Sequence, residues 1–409
     1  MQLGRPARAA GAPFSATRYV SFAIVLIAAC AQSISSAWPF DSILPLGQTL
    51  WWLQLLALAS VVWLLSTAQT VAQAVLTAWL FATLWLATAF SWLFVAMHTY
   101  GDMHALIAAG AVVLLAAALG LYYALACGIW RYFQSRTYTA PILFAAAWTF
   151  AEMARGMWFT GFGWGAVGYS HNEGPLRQFV PWVGAYGVTF LAAWVAAALG
   201  TLQAQTTRKL LTITTLLVLP AAIPESWSVW STPHKTTGVA LLQGNIPQDE
   251  KFETGSGIPL ALKWYGEQLL TAKAALVVAP ETAIPLLPRQ LPDGYWKAIE
   301  ERYANGPQAA MVGIPLGNYE EGYSNSVVGI ATGQSAVWRY DKHHLVPFGE
   351  FIPPFFRWFT NLMNIPLGDF NRGAIGQPSF EFDGQRFAAN VCYEDLFGEE
   401  LGARFADPL

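Results

Sequence analysis

Between Ser42 and Gly101 the chain carries no Asp, Glu, Lys or Arg. Few folds tolerate so long an uncharged stretch. One membrane-crossing helix needs about 20 apolar residues, so this run is long enough for two. The polar patch Ser66-Thr67-Ala68-Gln69-Thr70 is the natural break between them. Further uncharged or nearly uncharged runs follow the same rule. Tyr19–Phe40 precedes the stretch, and 103–130, 139–153, 179–202 and a shorter 210–223 come after it. Seven candidate spans result. Composition agrees, with 55% hydrophobic residues, 19 Trp and only 11% charged residues. Soluble domains carry about 25% charged residues.

Orientation follows from basic residues in the short loops. Arg5, Arg8 and Arg18 precede the first span with no acid among them, which predicts a cytoplasmic start and an uncleaved anchor. Arg131, Arg136, Arg208 and Lys209 then also fall on the cytoplasmic side, whereas Arg155 and Arg177 fall outside and count against the scheme. Seven spans from an inside start place everything after about Pro224 on the outer face. A net charge of -3 is too small to indicate a nucleic-acid partner. The three cysteines, Cys30, Cys127 and Cys392, match no disulfide framework or zinc site. Cys30 and Cys127 lie within apolar runs and are expected to be lipid-buried and inert.

Two features of the apolar half need weighing. Glu152 and Arg155 stand three apart near the end of the fifth span, where they can pair on one helix face, either for a function or as a structural pair. Gly163-Trp164-Gly165-Ala166-Val167-Gly168 fits a dinucleotide-binding glycine pattern, but no strand precedes it. A Gly- and Trp-rich loop at the membrane interface is expected instead.

After Pro224 charges return and apolar runs shorten to strand length. Strands are predicted at 238–242, 275–279 and 309–314. A hairpin of 326–330 and 335–338 is predicted around Thr332-Gly333-Gln334, and a last run at Arg386–Ala389 after an Asp383-Gly384 turn. Helices are predicted over 260–275 and 293–303. Interleaved strands and helices indicate an α/β domain.

Three strand ends in this domain bear reactive side chains. Glu281 follows the second strand, Lys342 the hairpin, and Cys392 the last strand. Catalytic groups in α/β sheets gather where strands end. A thiol needs a base to take its proton, and acyl transfer needs a positive charge or N–H donors for the oxyanion. Glu, Cys and Lys supply these parts without a histidine. Each alone has a plainer reading, as a surface carboxylate, a solvated lysine or an inert buried thiol. His343, His344 and Glu350 are of the residue types that ligate metals. Adjacent histidines point apart on most backbones, so no metal site is assigned.

In these contexts the order Glu, Lys, Cys resembles the nitrilase (carbon-nitrogen hydrolase) superfamily, and specific strings resemble the bacterial apolipoprotein N-acyltransferases. They are Gln243-Gly244-Asn245-Ile246-Pro247-Gln248, Ala279-Pro280-Glu281-Thr282-Ala283-Ile284-Pro285, the run from Tyr340 through Glu350 to Pro353, and Val391-Cys392-Tyr393-Glu394. Thr160–Trp164 and Gly168-Tyr169-Ser170 resemble that family's membrane part. The resemblance implies a polytopic α-helical membrane bundle over 1–230. It implies a periplasmic α/β nitrilase-like domain, an α-β-β-α sandwich, over 231–409. It also implies a ping-pong reaction in the inner membrane. Cys392 takes an acyl chain from a phospholipid, and the α-amine of a diacylglyceryl-cysteine on an apolipoprotein accepts it. By match, Glu281 is the general base and Lys342 the oxyanion cation. Glu350 supports Lys342 or the substrate, and Tyr393 and Glu394 flank the nucleophile. No cofactor is implied. A membrane-tethered amidase of the same superfamily, or a transporter or scaffold with a degenerate outer domain, are the alternatives. Two departures stand out. Phe252 follows Lys251 where relatives often have Trp. The sequence also ends 17 residues after Cys392 (409 minus 392), short of the further strands and last membrane helix that the resemblance implies, so a fragment is expected, with an inactive protein as the alternative.

Overall fold

The computed structural model describes residues 16–37, 39, 45, 47–133, 139–202, 206–224, 227, 235–334, 336–353 and 369–405. Arg5, Arg8, Arg136, Ser335 and the closing residues 406–409 lie outside them. The chain divides into two compact units, Met1–Thr232 and Pro233–Leu409.

The first unit is helical. Its elements are α1 (Ala16–Ile34), α2 (Trp51–Thr67), α3 (Val71–Ala89), the short α4 (Ser91–Val95), α5 (Ala105–Phe133), α6 (Ala140–Met157), α7 (Val180–Gly200) and α8 (Thr206–Val218). The break between α2 and α3 falls on the polar patch at 66–70. There the Thr70 side chain caps α3 by accepting from the Gln73 N–H at 3.1 Å, and Gln73 reaches back to the Gln69 N–H at 2.9 Å. Such reciprocal bonds satisfy donors that a helix start otherwise leaves open. Among the described residues three helical runs are long and apolar enough to cross a membrane: Val71–Ala89, Ala105–Phe133 and Pro175–Gly200. Tyr19–Ile34 and Trp51–Thr67 are apolar but shorter. The predicted seventh span is carried by α8, whose 13 residues cover about 20 Å at 1.5 Å per residue. That falls short of the roughly 30 Å hydrocarbon core.

Small residues let α3 and α5 approach. Ala74, Ala78 and Ala82 face inward with Ala108, Ala116 and Gly120, and a Cβ on Gly120 would stand 3.1 Å from the Thr83 hydroxyl. Close helix packing at small residues is how apolar helices associate where lipid is as apolar as leucine. The centre is aromatic: Tyr123 packs on Trp148 with ring centres 4.6 Å apart and on Trp85 at 5.3 Å. Cys127 is shielded by protein rather than lipid, while Cys30 lies exposed on its helix.

Glu152 and Arg155 are each 1% exposed on α6. Their polar atoms turn to neutral partners. The Arg155 guanidinium donates to the Tyr123 hydroxyl at 3.0 Å and to the carbonyls of Phe162 and Trp164 at 2.5 and 2.7 Å. Glu152 accepts from Trp148 Nε1 and the Val167 N–H, both at 3.1 Å, and from the Thr189 hydroxyl at 3.0 Å. Two buried charges thus staple the Gly- and Trp-rich loop to the bundle. Gly168 belongs to that packing, since a Cβ there would sit 2.3 Å from the Ala185 carbonyl oxygen.

The second unit is built on a five-stranded sheet in the order β1 (Val239–Leu241), β2 (Leu276–Ala279), β3 (Ala309–Asn318), β4 (Gly322–Ile330) and β5 (Trp338–Asp341). The first three run parallel, and β4 and β5 turn back antiparallel. Side chains alternate between the faces of a strand. Val277, Ala279, Ala310, Val312 and Ile314 pack beneath α9 (Gly257–Thr271) and α10 (Tyr295–Ala304). Leu276, Ala309 and Met311 face the other way, against Phe380, Ala389 and Val391. That second layer contains the hairpin of β6 (Phe380–Phe382) and β7 (Gln385–Phe387), closed at Asp383-Gly384, and it leads to α11 (Gly398–Phe405).

Two sequence expectations change here. The predicted strands 309–314 and 326–330 extend into one long hairpin, with Asn318 opposite Gly322. The strand predicted at 335–338 lies later, at Trp338–Asp341, where Asp341 pairs with Ser326. This shift brings Lys342 to the end of β5.

Candidate functional site

Glu281 is delivered by the end of β2. Pro280 ends the strand, and Thr282 takes a positive φ of 47°, which turns the chain sharply after the carboxylate. β3 runs beside this turn, so close that a Cβ on Gly313 would stand 2.1 Å from the Pro280 carbonyl oxygen. Only glycine leaves room. The Ile284 N–H then donates to the Gly313 carbonyl at 3.1 Å, which fixes the turn against β3.

Lys342 is positioned from β4. Its N–H donates to the Asn325 carbonyl at 2.8 Å, and its own carbonyl accepts from Gly373 at 3.0 Å. The side chain is 1% exposed, and its Nζ lies 3.2 Å from Glu281 Oε1 and 2.9 Å from Glu350 Oε2. Burial alone would lower the lysine pKa, but the two carboxylates outweigh it and hold the pKa above the ordinary value. Lys342 is therefore an ammonium at neutral pH.

Sequence reasoning missed the residue that bridges these carboxylates. The Asn325 side-chain amide donates to Glu281 Oε1 and, at 2.8 Å, to Glu350 Oε1. Glu350 is tied down again by the Val346 N–H at 2.9 Å. Asn325 lies in a Gly- and Ser-containing stretch with no apolar run, so only the long β3–β4 hairpin reveals it.

Cys392 opens a 3-10 turn, Cys392–Leu396, with a φ of 52°. A non-glycine residue in the left-handed region carries strain and is common at functional sites. The thiol is exposed, yet protein on its inner side partly desolvates it. That desolvation, then the Glu281 charge, raise its pKa. Lys342 and the Tyr393 backbone N–H act in the opposite sense without overcoming them. At neutral pH the group is a thiol that needs a base. Glu281, Lys342, Glu350 and Cys392 are thus brought within one electrostatic neighbourhood.

Tyr393 and Glu394 serve the frame around this neighbourhood. Tyr393 is buried, with its ring centre 5.3 Å from that of His344 and 5.2 Å from that of Phe397, both packed edge to face. The Glu394 carboxylate accepts from the Val391 N–H at 2.9 Å, the Tyr340 hydroxyl at 2.6 Å and the His343 N–H at 2.7 Å. It joins the turn of the thiol to the backbone just after Lys342. His343 and His344 diverge: one ring faces the Gly373 carbonyl at 2.6 Å, the other Glu400 at 3.0 Å. Chemically, a carboxylate near a thiol can take its proton, and a buried ammonium can hold the oxyanion of an attacked carbonyl.

Comparison with known proteins agrees with both halves. Residues 35–198 match the apolipoprotein N-acyltransferase N-terminal domain, and residues 238–404 match the carbon-nitrogen hydrolase domain. An apolipoprotein N-acyltransferase of Verminephrobacter eiseniae is 50% identical over 401 residues, spanning 94% of this chain and 74% of the relative. Those of Ralstonia nicotianae and Nitrosomonas europaea are 41% and 35% identical, over 86% and 85% of this chain and 68% and 70% of the relatives. With both domains in this order and half its residues shared with such a protein, the chain belongs to the apolipoprotein N-acyltransferase family.

Proposed function

We propose that this membrane acyltransferase moves a fatty acyl chain from a phospholipid, through a thioester on Cys392, to the α-amine of the diacylglyceryl-cysteine of apolipoproteins. The observation that carries the reading is one cluster: Lys342 clamped between Glu281 and Glu350 within electrostatic reach of the strained Cys392. Glu281 takes the thiol proton as Sγ attacks the ester carbonyl. Lys342 carries the oxyanion. The C–O bond breaks, and the lysophospholipid alkoxide leaves with the proton that Glu281 returns. In the second half the acceptor amine attacks the thioester, Glu281 takes the amine proton, and the C–S bond breaks. The proton then returns to Sγ, leaving an amide. Glu350 and Asn325 hold the base and the cation in register, and Glu394 holds the nucleophile's turn.

The reading places the chain in the inner membrane with residues 231–409 on the periplasmic face, where lipid donor and lipoprotein acceptor meet. Peptide mass spectrometry of the full chain from its native membranes tests it. The Cys392 peptide is expected to carry a fatty acyl adduct that hydroxylamine removes, and Cys392→Ala to lose both the adduct and lipoprotein acylation. A bare thiol after incubation with phospholipid would sink the acyl-transfer reading and favour an amidase.

A further inference from the structure

We infer that Lys251 is a second cation of this site, placed to balance the negative charge that develops at Cys392. The inference rests on the reading of Cys392 as nucleophile and adds a residue to it.

The charge balance of the cluster is incomplete without it. Glu281 and Glu350 bring two negative charges and Lys342 brings one positive charge, so one negative charge is left over. Moving the thiol proton to Glu281 relocates that excess onto sulfur but does not remove it. A thiolate, and then an oxyanion, would form in a field that opposes them. A further positive charge nearby would remove the opposition.

Lys251 supplies it. Its Nζ donates to the backbone carbonyl of Glu281 at 3.2 Å, and it is close enough to the Glu281 carboxylate and to Cys392 for both charges to act on it. Its anchor is a neutral carbonyl. Among the described residues no carboxylate lies within the 4.0 Å of an ion pair from this ammonium, whereas Lys342 has two. Lys342 is therefore largely neutralised by its neighbours, and Lys251 is not. The amine is partly buried, so its charge is less screened by water than a surface lysine's. That burial lowers its pKa, with Glu281 and Cys392 acting the other way.

Its place is built into the fold. The chain turns over Pro247–Glu253, with the Glu250 N–H donating to Pro247 at 3.1 Å and the Glu253 N–H to Glu250 at 2.8 Å. α9 begins directly against this turn. A Cβ on Gly257 would stand 1.9 Å from the Glu250 carbonyl oxygen and 3.0 Å from the Lys251 Cα. The glycine lets the helix start seat the lysine's backbone, while the Glu281 carbonyl holds its tip. Phe252, beside it, is exposed and leaves the ammonium 5.7 Å from its ring centre.

The test reads the free thiol and needs no acyl donor. Cys392 in the full chain is alkylated with iodoacetamide across a pH series, and the Cys392 peptide is quantified by mass spectrometry. Lys251→Met and Lys251→Gln are expected to raise the pH of half-maximal alkylation by about one unit, roughly tenfold less thiolate at a given pH. Lys251→Arg, which keeps the charge, is expected to stay near the unsubstituted midpoint. Midpoints unchanged in Met and Gln would overturn the inference. So would an Arg midpoint shifted as far as theirs, because the lysine would then only be filling its seat. The thioester assay separates this from the parent reading. A protein that shifts its midpoint but forms no thioester keeps the second cation and loses the acyl transfer.

Discussion

Glu152 and Glu281 are both glutamates beside a basic residue, and they do opposite things. Every oxygen of Glu152 is taken up by neutral donors: an indole, a backbone N–H and a hydroxyl. Its neighbour Arg155 spends three of its bonds on neutral oxygens. Glu281 faces an ammonium and the shared Asn325 amide, and its side chain stays 30% exposed. The first arrangement is closed. A charge solvated by fixed neutral dipoles has nothing to exchange a proton with, and it holds a loop in place. The second is open, because titratable groups face one another and the carboxylate keeps part of its surface in solvent. Burial of charge alone does not mark a reactive site; the identity of the partners does.

Substitutions can break or sharpen that contrast. The largest effect is expected from Glu281→Gln. Loss of the base should slow acyl transfer about a hundredfold to ten-thousandfold. Yet removing its negative charge should lower the thiol pKa, so Cys392 should alkylate faster near neutral pH than in the unsubstituted protein. The sign is set by the raised pKa: the thiolate fraction rises only as pH climbs through that value, and removing the Glu281 charge moves the curve down in pH. Slower alkylation would mean that Glu281 shapes the site rather than charging it. Glu152→Ala should act on stability instead, costing about 1–3 kcal/mol because a buried indole, a backbone N–H and a hydroxyl lose their acceptor. Unfolding in detergent measures it, while thioester formation per folded molecule should hold. A selective loss of chemistry there would erase the distinction between the two clusters. Asn325→Ala should be the mildest, with a rate loss of about tenfold to hundredfold from two carboxylates released from one amide. Rescue by Asn325→Gln would argue against precise bridging.

Much of the molecule can be read without coordinates. Uncharged runs locate α2, α3 and α5, because nothing but an apolar surrounding accepts 42–101 without a charge. The short apolar runs locate β2 and the start of β3, and the strand-end position of Glu281 follows from them, whereas Lys342 gains its strand end only because β5 lies later than its run suggests. What stays hidden depends on pairing. The far half of the β3–β4 hairpin contains Pro315, Gly317, Asn318 and Gly322, residues with weak strand preference that are held by cross-strand bonds. With that half unseen, Asn325 has no reason to be singled out. Lys251 is visible in the sequence only as the neighbour of Phe252, since it stands in an ordinary polar turn and only the fold brings its ammonium to the Glu281 carbonyl. Glu152 and Arg155 show the reverse error. Their spacing correctly puts them on one helix face, but three residues apart does not decide whether two charges meet each other or the loop between α6 and α7.

The Glu394 clasp also sets an order of assembly. Tyr340 and Glu394 are 54 positions apart, and the carboxylate that joins them sits two residues beyond Cys392. A ribosome delivers the strand that precedes Lys342 before it delivers the clasp. Until the clasp arrives, the backbone after Lys342 lacks its acceptor, and the thiol's turn has nothing to brace it. The turn that carries Cys392 is therefore braced only across a long sequence separation, by a strand made well before it.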